Sequence, residues 1–195
     1  MIKPRIAIFA SGSGTNAEAI FKHFSDNQLV DIVGLLSNNP KAFALERAKN
    51  HNIPTLTFNR NTFYETHDVL DWLKANSATH IILAGFMWHI PAYMTDAYPD
   101  QIINIHPALL PKFGGKGMYG MRVHEAVKTS GETETGITIH LVNDVYDDGK
   151  ILFQKTCPVD SKDTPEQIAE KVHALEHKNY PKIIERWVSG ELRGP

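Results

Sequence analysis

Five short apolar segments, rich in β-branched residues, recur along the first half of the chain. They are Arg5–Ala10, Val30–Ser37, Ile53–Phe58, His80–Ala84 and Ile102–His106. Amphipathic stretches separate them, over about Thr15–Phe24, Ala42–Asn50 and Tyr64–Asn76, with a helical turn over Pro91–Tyr98. Strands that alternate with helices pair in parallel, because each helix carries the chain back across the sheet in a right-handed crossover. After Ile102–His106 the pattern changes. A helix is expected near Arg122–Thr129, then two strands, Thr135–Val142 and Ile151–Pro158. The loop of about eight residues between those strands is too short for a crossover, so they should run antiparallel. Thr164-Pro165-Glu166-Gln167 is a capping box with proline at the first helical position. The helix it opens should reach about Val188, with Gly190 as its stop.

The expected fold is therefore α/β: a Rossmann-like, mostly parallel twisted sheet with helices on both faces and an antiparallel C-terminal extension. With 195 residues, no internal repeat and no low-complexity tract, the chain reads as a single domain, 1–195. A phosphate-binding part would span about 1–100 and a catalytic part about 80–195. The net charge of −2 supplies no field for nucleic acid or an anionic membrane. A single cysteine, Cys157, excludes an internal disulfide and points to a reducing, cytoplasmic compartment. Met1–Pro4 runs straight into a strand-like segment, so no signal peptide is expected. No apolar run approaches the roughly 18 residues that would cross a membrane.

Ser11-Gly12-Ser13-Gly14-Thr15-Asn16-Ala17 joins the first strand to the first helix. Glycines there allow the backbone to approach an anion, and free N–H groups at a helix start can hold one. The run also fits the dinucleotide pattern G-x-G-x-x-A. A dinucleotide site wants an acid after the second strand, however, and that strand ends in Ser37-Asn38-Asn39. A monophosphate site fits better than a dinucleotide site or an empty turn. The lysine of a nucleoside-triphosphatase loop is absent.

The chemistry concentrates in Ile102-Ile103-Asn104-Ile105-His106-Pro107-Ala108-Leu109-Leu110-Pro111. On a strand, Asn104 and His106 share one face, with Ile103 and Ile105 on the other. Pro107 ends the ladder because it has no N–H. An amide and an imidazole thus sit side by side at the carboxyl end of a strand, where ligands bind open α/β sheets. Together they can donate two hydrogen bonds to a developing oxyanion. Further on, Thr138 and His140 share a strand face. The loop Asn143-Asp144-Val145-Tyr146-Asp147-Asp148-Gly149 then carries three carboxylates, among which local sequence cannot choose a partner for His106.

Ser11–Asn16, Ala84-Gly85-Phe86-Met87, Asn104–Pro111, Gly136–Val142 and Asp147-Asp148-Gly149 occur in this order and spacing. Together they make the chain resemble the phosphoribosylglycinamide formyltransferase family of purine biosynthesis. The resemblance implies catalytic roles for Asn104, His106 and Asp147, supported by Thr138 and His140. It implies that Ser13, Gly14, Thr15 and Asn16 hold the substrate phosphate and that Glu176 lies near the substrate amine. Folate would lie against Met87, Trp88, His89, Ile90, Asn104, Val142, Asp144 and Asp147, and Leu110–Pro111 would be a cis peptide. The implied co-substrate is 10-formyltetrahydrofolate and the implied acceptor is glycinamide ribonucleotide, with no metal and with a monomer or homodimer equally open. Three departures stand out. Many members have a shorter loop than Lys112–Arg122, an arginine often found after Gly-Phe-Met is Trp88 here, and an arginine before the third helix has only Arg60 nearby.

Other signals are weaker. His173 and His177 are four apart on a helix but do not form the H-E-x-x-H metal pattern. Cys157 has no evident base. Phe113–Gly120, with glycines at 114, 115, 117 and 120, is either a spacer or a mobile lid in which Lys112, Lys116 and Tyr119 meet substrate. Competing readings are another folate-dependent formyltransferase, a formyltetrahydrofolate hydrolase, or a nucleotide-binding module without catalysis. The first two normally carry additional segments, which are not expected in a chain that ends at Pro195.

Overall fold

The computed structural model describes residues 3–27 and 29–192. Met1, Ile2 and Pro195, on which the readings of the chain's start and end rest, lie outside the described residues. In order, the elements are β1 (Arg5–Phe9), α1 (Thr15–Phe24), β2 (Asp31–Ser37), α2 (Phe43–Asn50), β3 (Thr55–Thr57), α3 (Arg60–Tyr64) and α4 (Asp68–Ala75). There follow β4 (His80–Leu83), α5 (Ala92–Ala97), β5 (Ile102–His106), α6 (Met121–Ser130), β6 (Glu134–Leu141), β7 (Ile151–Pro158) and α7 (Pro165–Val188). The strands form one seven-stranded sheet in the order β3-β2-β1-β4-β5-β6-β7. The first five pair in parallel, and β6 and β7 extend the sheet antiparallel.

The parallel strands are apolar on both faces because both faces are covered. Ile6 and Ile8 of β1 pack into a core with α1, α2 and α7, whereas Ala7 and Phe9 pack into a second core with α4 and α5. Tyr180 of α7 is fully buried, and its hydroxyl donates to the Leu83 carbonyl at 2.9 Å. That bond fixes the long helix against the end of β4. The capping box is present: Gln167 N–H donates to Thr164 Oγ1 at 3.3 Å, and Thr164 N–H donates to the Gln167 side chain at 2.9 Å.

Two expected elements differ. The helix expected over Tyr64–Asn76 starts late: α3 ends at Tyr64, and His67, in a left-handed conformation (φ 61°), opens α4 at Asp68. The earlier helix starts at Arg60, where the Asn59 side chain accepts from Thr62 N–H at 3.1 Å. The third strand shrinks to Thr55–Thr57, paired on one side only with β2.

The order of strands reverses between β1 and β4, and their carboxyl ends open a crevice at that switch. Ser11 ties its floor together. Its N–H donates to Gly85 O at 3.1 Å, and its hydroxyl donates to Asn38 Oδ1 at 2.7 Å and accepts from Met87 N–H at 3.0 Å. At the other side of the sheet, Gly136 in β6 lies under the neighbouring strand, where a Cβ would overlap the Lys155 carbonyl. Gly136→Ala should therefore lower unfolding stability by about 1–3 kcal/mol. Gly12→Ala, with open space at its Cβ, should stay within about 0.5 kcal/mol. Urea unfolding of the two variants checks this, and equal midpoints would contradict it.

Candidate active site

The first turn of α1 carries no side-chain cap, and Gly14 precedes it in a left-handed conformation (φ 71°). A side chain at Gly14 would be strained and would also collide with Ala44. The unpaired N–H groups of that turn face a cleft of about 620 Å³. Ser13, Gly14, Thr15 and Asn16 line it on the β1 side, and Met87, Trp88, His89 and Ile90 line it after β4. Asn104, His106, His140, Val142, Asp147 and Glu176 complete its wall.

Asn104 and His106 share a face of β5, as their spacing predicts, with Ile103 and Ile105 in the core behind. The antiparallel register sets Asn104 opposite His140 and His106 opposite Thr138. His140 Nδ1 is 2.8 Å from the Leu141 carbonyl, so that nitrogen carries a proton. Its Nε2 then accepts from the Asn104 amide at 3.2 Å, which orients the amide and leaves its second N–H free. Thr138 does not line the cleft. It is fully buried, and its hydroxyl donates to Ala108 O at 2.7 Å and accepts from Leu110 N–H at 3.0 Å. Thr138 thus holds the turn that follows His106, a turn that includes the cis peptide Leu110–Pro111.

Asp147 is the carboxylate brought to His106. Its Oδ2 lies 3.5 Å from His106 Nδ1, and its Oδ1 lies 3.6 Å from His140 Nε2. Asp147 sits at positive φ (54°), a conformation aspartate tolerates better than most residues. Although burial raises its carboxyl, His140, His106 and the Gly115 N–H together hold it below the ordinary carboxylate value. Asp144 points elsewhere. It is exposed, accepts from the Thr95 hydroxyl at 2.7 Å and lies outside the cleft lining.

The loop after β5 is latched onto the site. His106 Nε2 donates to Phe113 O at 2.8 Å, and Gly115 N–H donates to Asp147 Oδ2 at 2.9 Å. Phe113 holds a left-handed backbone (φ 56°), a costly conformation for a bulky residue that aims its carbonyl at the imidazole. Lys116 and Tyr119 line the cleft, whereas Lys112 turns outward to pair with Glu132 at 2.8 Å. Burial lowers the His106 pKa, and the opposing pull of Asp147 and Phe113 does not overcome it. The free protein therefore favours a neutral His106. The sequence reading also missed His124 and Tyr146, which line the cleft. His124 carries no local signal, since a lone histidine in an amphipathic helix is usually structural.

Glu176 of α7 is 5% exposed and accepts from the Asn16 amide at 2.9 Å. Burial pushes its carboxyl up to about 7, and the Asn16 hydrogen bond only partly opposes this. Because the folded pKa lies above the unfolded one, the contribution of Glu176 to stability is greatest at acid pH. It falls as pH rises from about 4.5 through about 7. Relative to Glu176→Gln, the wild type should lose about 3 kcal/mol across that window. Urea unfolding of both proteins at about pH 5 and about pH 8.5 reads the difference, and parallel pH profiles would contradict it.

Among the described residues, no cluster of three or more His, Cys, Asp or Glu is arranged to hold a metal ion, and no helix is long and apolar enough to cross a membrane. A mostly parallel sheet with helices on both faces and a cleft at its switch point defines a Rossmann-like α/β protein. The chain belongs to the formyl transferase family, whose model matches residues 4–184. It is 39% identical over 188 residues to a chloroplastic phosphoribosylglycinamide formyltransferase of Arabidopsis thaliana, covering 93% of this chain and 64% of that one. The chain thus spans less than two thirds of that plant relative. It is 36% identical to a phosphoribosylglycinamide formyltransferase of Bacillus subtilis (strain 168), covering 97% of each chain. Among solved structures, glycinamide ribonucleotide transformylase 1 from Symbiobacterium toebii superposes with a TM-score of 0.90 at 29% identity, covering 98% of this chain and 91% of that one.

Proposed function

We propose that this protein transfers the formyl group of 10-formyltetrahydrofolate to the primary amine of glycinamide ribonucleotide, a step of purine biosynthesis. The observation that carries the reading is one cleft holding both an anion cradle at the α1 start and the Asn104, His106 and Asp147 side chains. The names of the Arabidopsis and Bacillus relatives support the acceptor. Exposed apolar side chains at the cleft, Met87, Val145 and Tyr146, suit the flat rings of a folate. The phosphate sits on Ser13–Asn16, which places the acceptor amine between Glu176 and His106.

The amine nitrogen bonds to the formyl carbon, and the carbonyl pair moves onto oxygen. The free Asn104 N–H donates to that oxyanion. His106 Nε2–H is committed to Phe113 O, so the neutral ring offers its Nδ1 lone pair across a 3.5 Å gap to Asp147. A lone pair and a carboxylate repel unless a proton or a water lies between them. The attacking nitrogen therefore gives up its proton to Nδ1, through a water that Asp147 positions. The imidazolium so formed directs Nδ1–H toward Asp147 and acts on the oxyanion through its charge alone, which appears only as the transition state needs it. Collapse breaks the bond from the formyl carbon to the folate nitrogen, which takes up the proton. The formyl group moves one way and one hydrogen the other, with no enzyme-bound covalent intermediate.

Turnover with glycinamide ribonucleotide and 10-formyltetrahydrofolate, followed by absorbance of the deformylated folate, tests the reaction. Folate deformylation at the same rate without the ribonucleotide would make the protein a hydrolase instead. Asn104→Ala and His106→Ala should each lower kcat by about 100- to 1,000-fold. Near-normal kcat would end the oxyanion role of Asn104 in the first variant and the role of His106 as proton acceptor in the second. Asp147→Asn should lower kcat strongly, whereas Asp144→Asn, whose parent side chain bonds Thr95, should leave it within about threefold of wild type. If Asp144 is the sensitive position, the assignment of the loop is overturned.

A further inference from the structure

His124, in the first turn of α6 after the glycine loop, takes no part in the mechanism above. It lines the cleft and is only 2% exposed. Its Nδ1 is sealed from solvent and has no hydrogen-bond partner. The ring of His173, on α7, meets it edge-on at 6.2 Å, and His173 also lines the cleft. Burial, reinforced by the neighbouring His173 and His106 rings, pushes His124 down to about 4, so the ring is neutral at physiological pH.

A neutral imidazole carries one proton. A buried N–H without an acceptor is rarer in proteins than a buried acceptor without a donor. The sealed Nδ1 therefore holds the lone pair, and the proton sits on Nε2. That leaves Nε2–H as the ring's one polar group able to meet a ligand in the cleft. His173, whose ring meets it, lies one turn before Glu176, and Glu176 accepts from Asn16 of the phosphate loop. His106 lines the same cleft, so His124 belongs to a wall that carries both the reacting side chains and the phosphate loop. A molecule that reaches from one to the other lays its sugar along that wall.

We infer that His124 is a substrate-binding residue whose Nε2–H donates to an oxygen of the 5-phosphoribosyl group. The inference rests on the proposed acceptor only for the identity of the whole substrate. The contact itself requires a phosphorylated pentose and nothing of the formyl chemistry. Once a ligand displaces water from the cleft, an Nε2–H left without an acceptor is costly, so the contact discriminates against ligands that lack an oxygen at that point.

Three variants and one spectrum test it. His124→Phe fills the ring's volume without the donor and should raise KM for glycinamide ribonucleotide about tenfold while leaving KM for the formyl donor within about twofold. Glutamine places an amide nitrogen near the Nε2 position, so His124→Gln should recover KM to within about threefold of wild type. Asparagine places its amide near Nδ1 and should not. Glutamine no better than asparagine, or equal rises in both KM values, would reduce His124 to a packing residue. If His124→Phe does not fold, as circular dichroism would show, the glutamine–asparagine contrast decides alone. Independently of turnover, adding ribose 5-phosphate to the wild-type protein should shift the His124 Nε2 resonance in an imidazole NMR spectrum. No shift at a saturating concentration would overturn the inference. A shift in a protein that fails to formylate glycinamide ribonucleotide would sustain this contact while the proposed reaction falls.

Discussion

The register between β5 and β6 is the constraint on which the site depends. It sets Asn104 against His140 and His106 against Thr138. Each pair joins a residue facing the cleft to one that fixes it. His140 orients the Asn104 amide, and Thr138 holds the turn that ends at Pro111. A slip of one residue would turn Asn104 and His106 into the core and bring Ile103 and Ile105 to the cleft. The register resists this because Ile103, Ile105, Ile137 and Ile139 are all buried in one core behind the site. Each would lose about 1.5–3 kcal/mol of burial on exposure. The apolar face of two strands thus places the polar face of both.

Much of this was legible in the sequence because it is local. Strand and helix alternation, the shared face of Asn104 and His106, and the capping box before Pro165 all depend on spacing within a few residues. Positions fixed by distant contacts were harder. Nothing near Asp147 distinguishes it from Asp144 or Asp148. Its approach to His106 depends on a left-handed turn at its own backbone and on the Gly115 N–H from another loop. The break at His67 was hidden for the same reason, since a non-glycine residue at positive φ leaves no mark in a hydropathy pattern. Glu176 reached the reading through resemblance alone, and His124 did not reach it at all. Both are polar residues on otherwise ordinary helices, and what distinguishes them is what packs over them.

The glycine loop after β5 links the two kinds of information. Its composition predicts a backbone free to move, at a cost in ordering entropy. In the structure that backbone contacts the site directly, through Phe113 O on His106 and Gly115 N–H on Asp147. Glycine at 115, with φ 93°, makes that reach possible, whereas Phe113 achieves its left-handed conformation against its own preference. The loop is therefore more than a spacer in the state described. It selects which nitrogen of His106 bears the proton, and so which nitrogen remains to accept one.

Burial acts on the titratable groups of the cleft in one consistent direction, toward neutrality. It holds His106 and His124 below the ordinary imidazole value and lifts Glu176 to about 7. Asp147 is the exception: it stays below the ordinary carboxylate value, and the Gly115 N–H donates to it. Neutral His106, His124 and Glu176 near one carboxylate suit a reaction whose nucleophile must be an uncharged amine. An imidazolium already present would leave no base to receive the proton that the attacking amine must lose. A neutral His106 beside an ionised Asp147 instead holds the imidazolium in reserve. The same carboxylate that cannot overcome desolvation in the free protein gains a partner of opposite charge once the oxyanion and the imidazolium form together. Desolvation, which opposes that charge in the ground state, strengthens the attraction between the pair in the transition state.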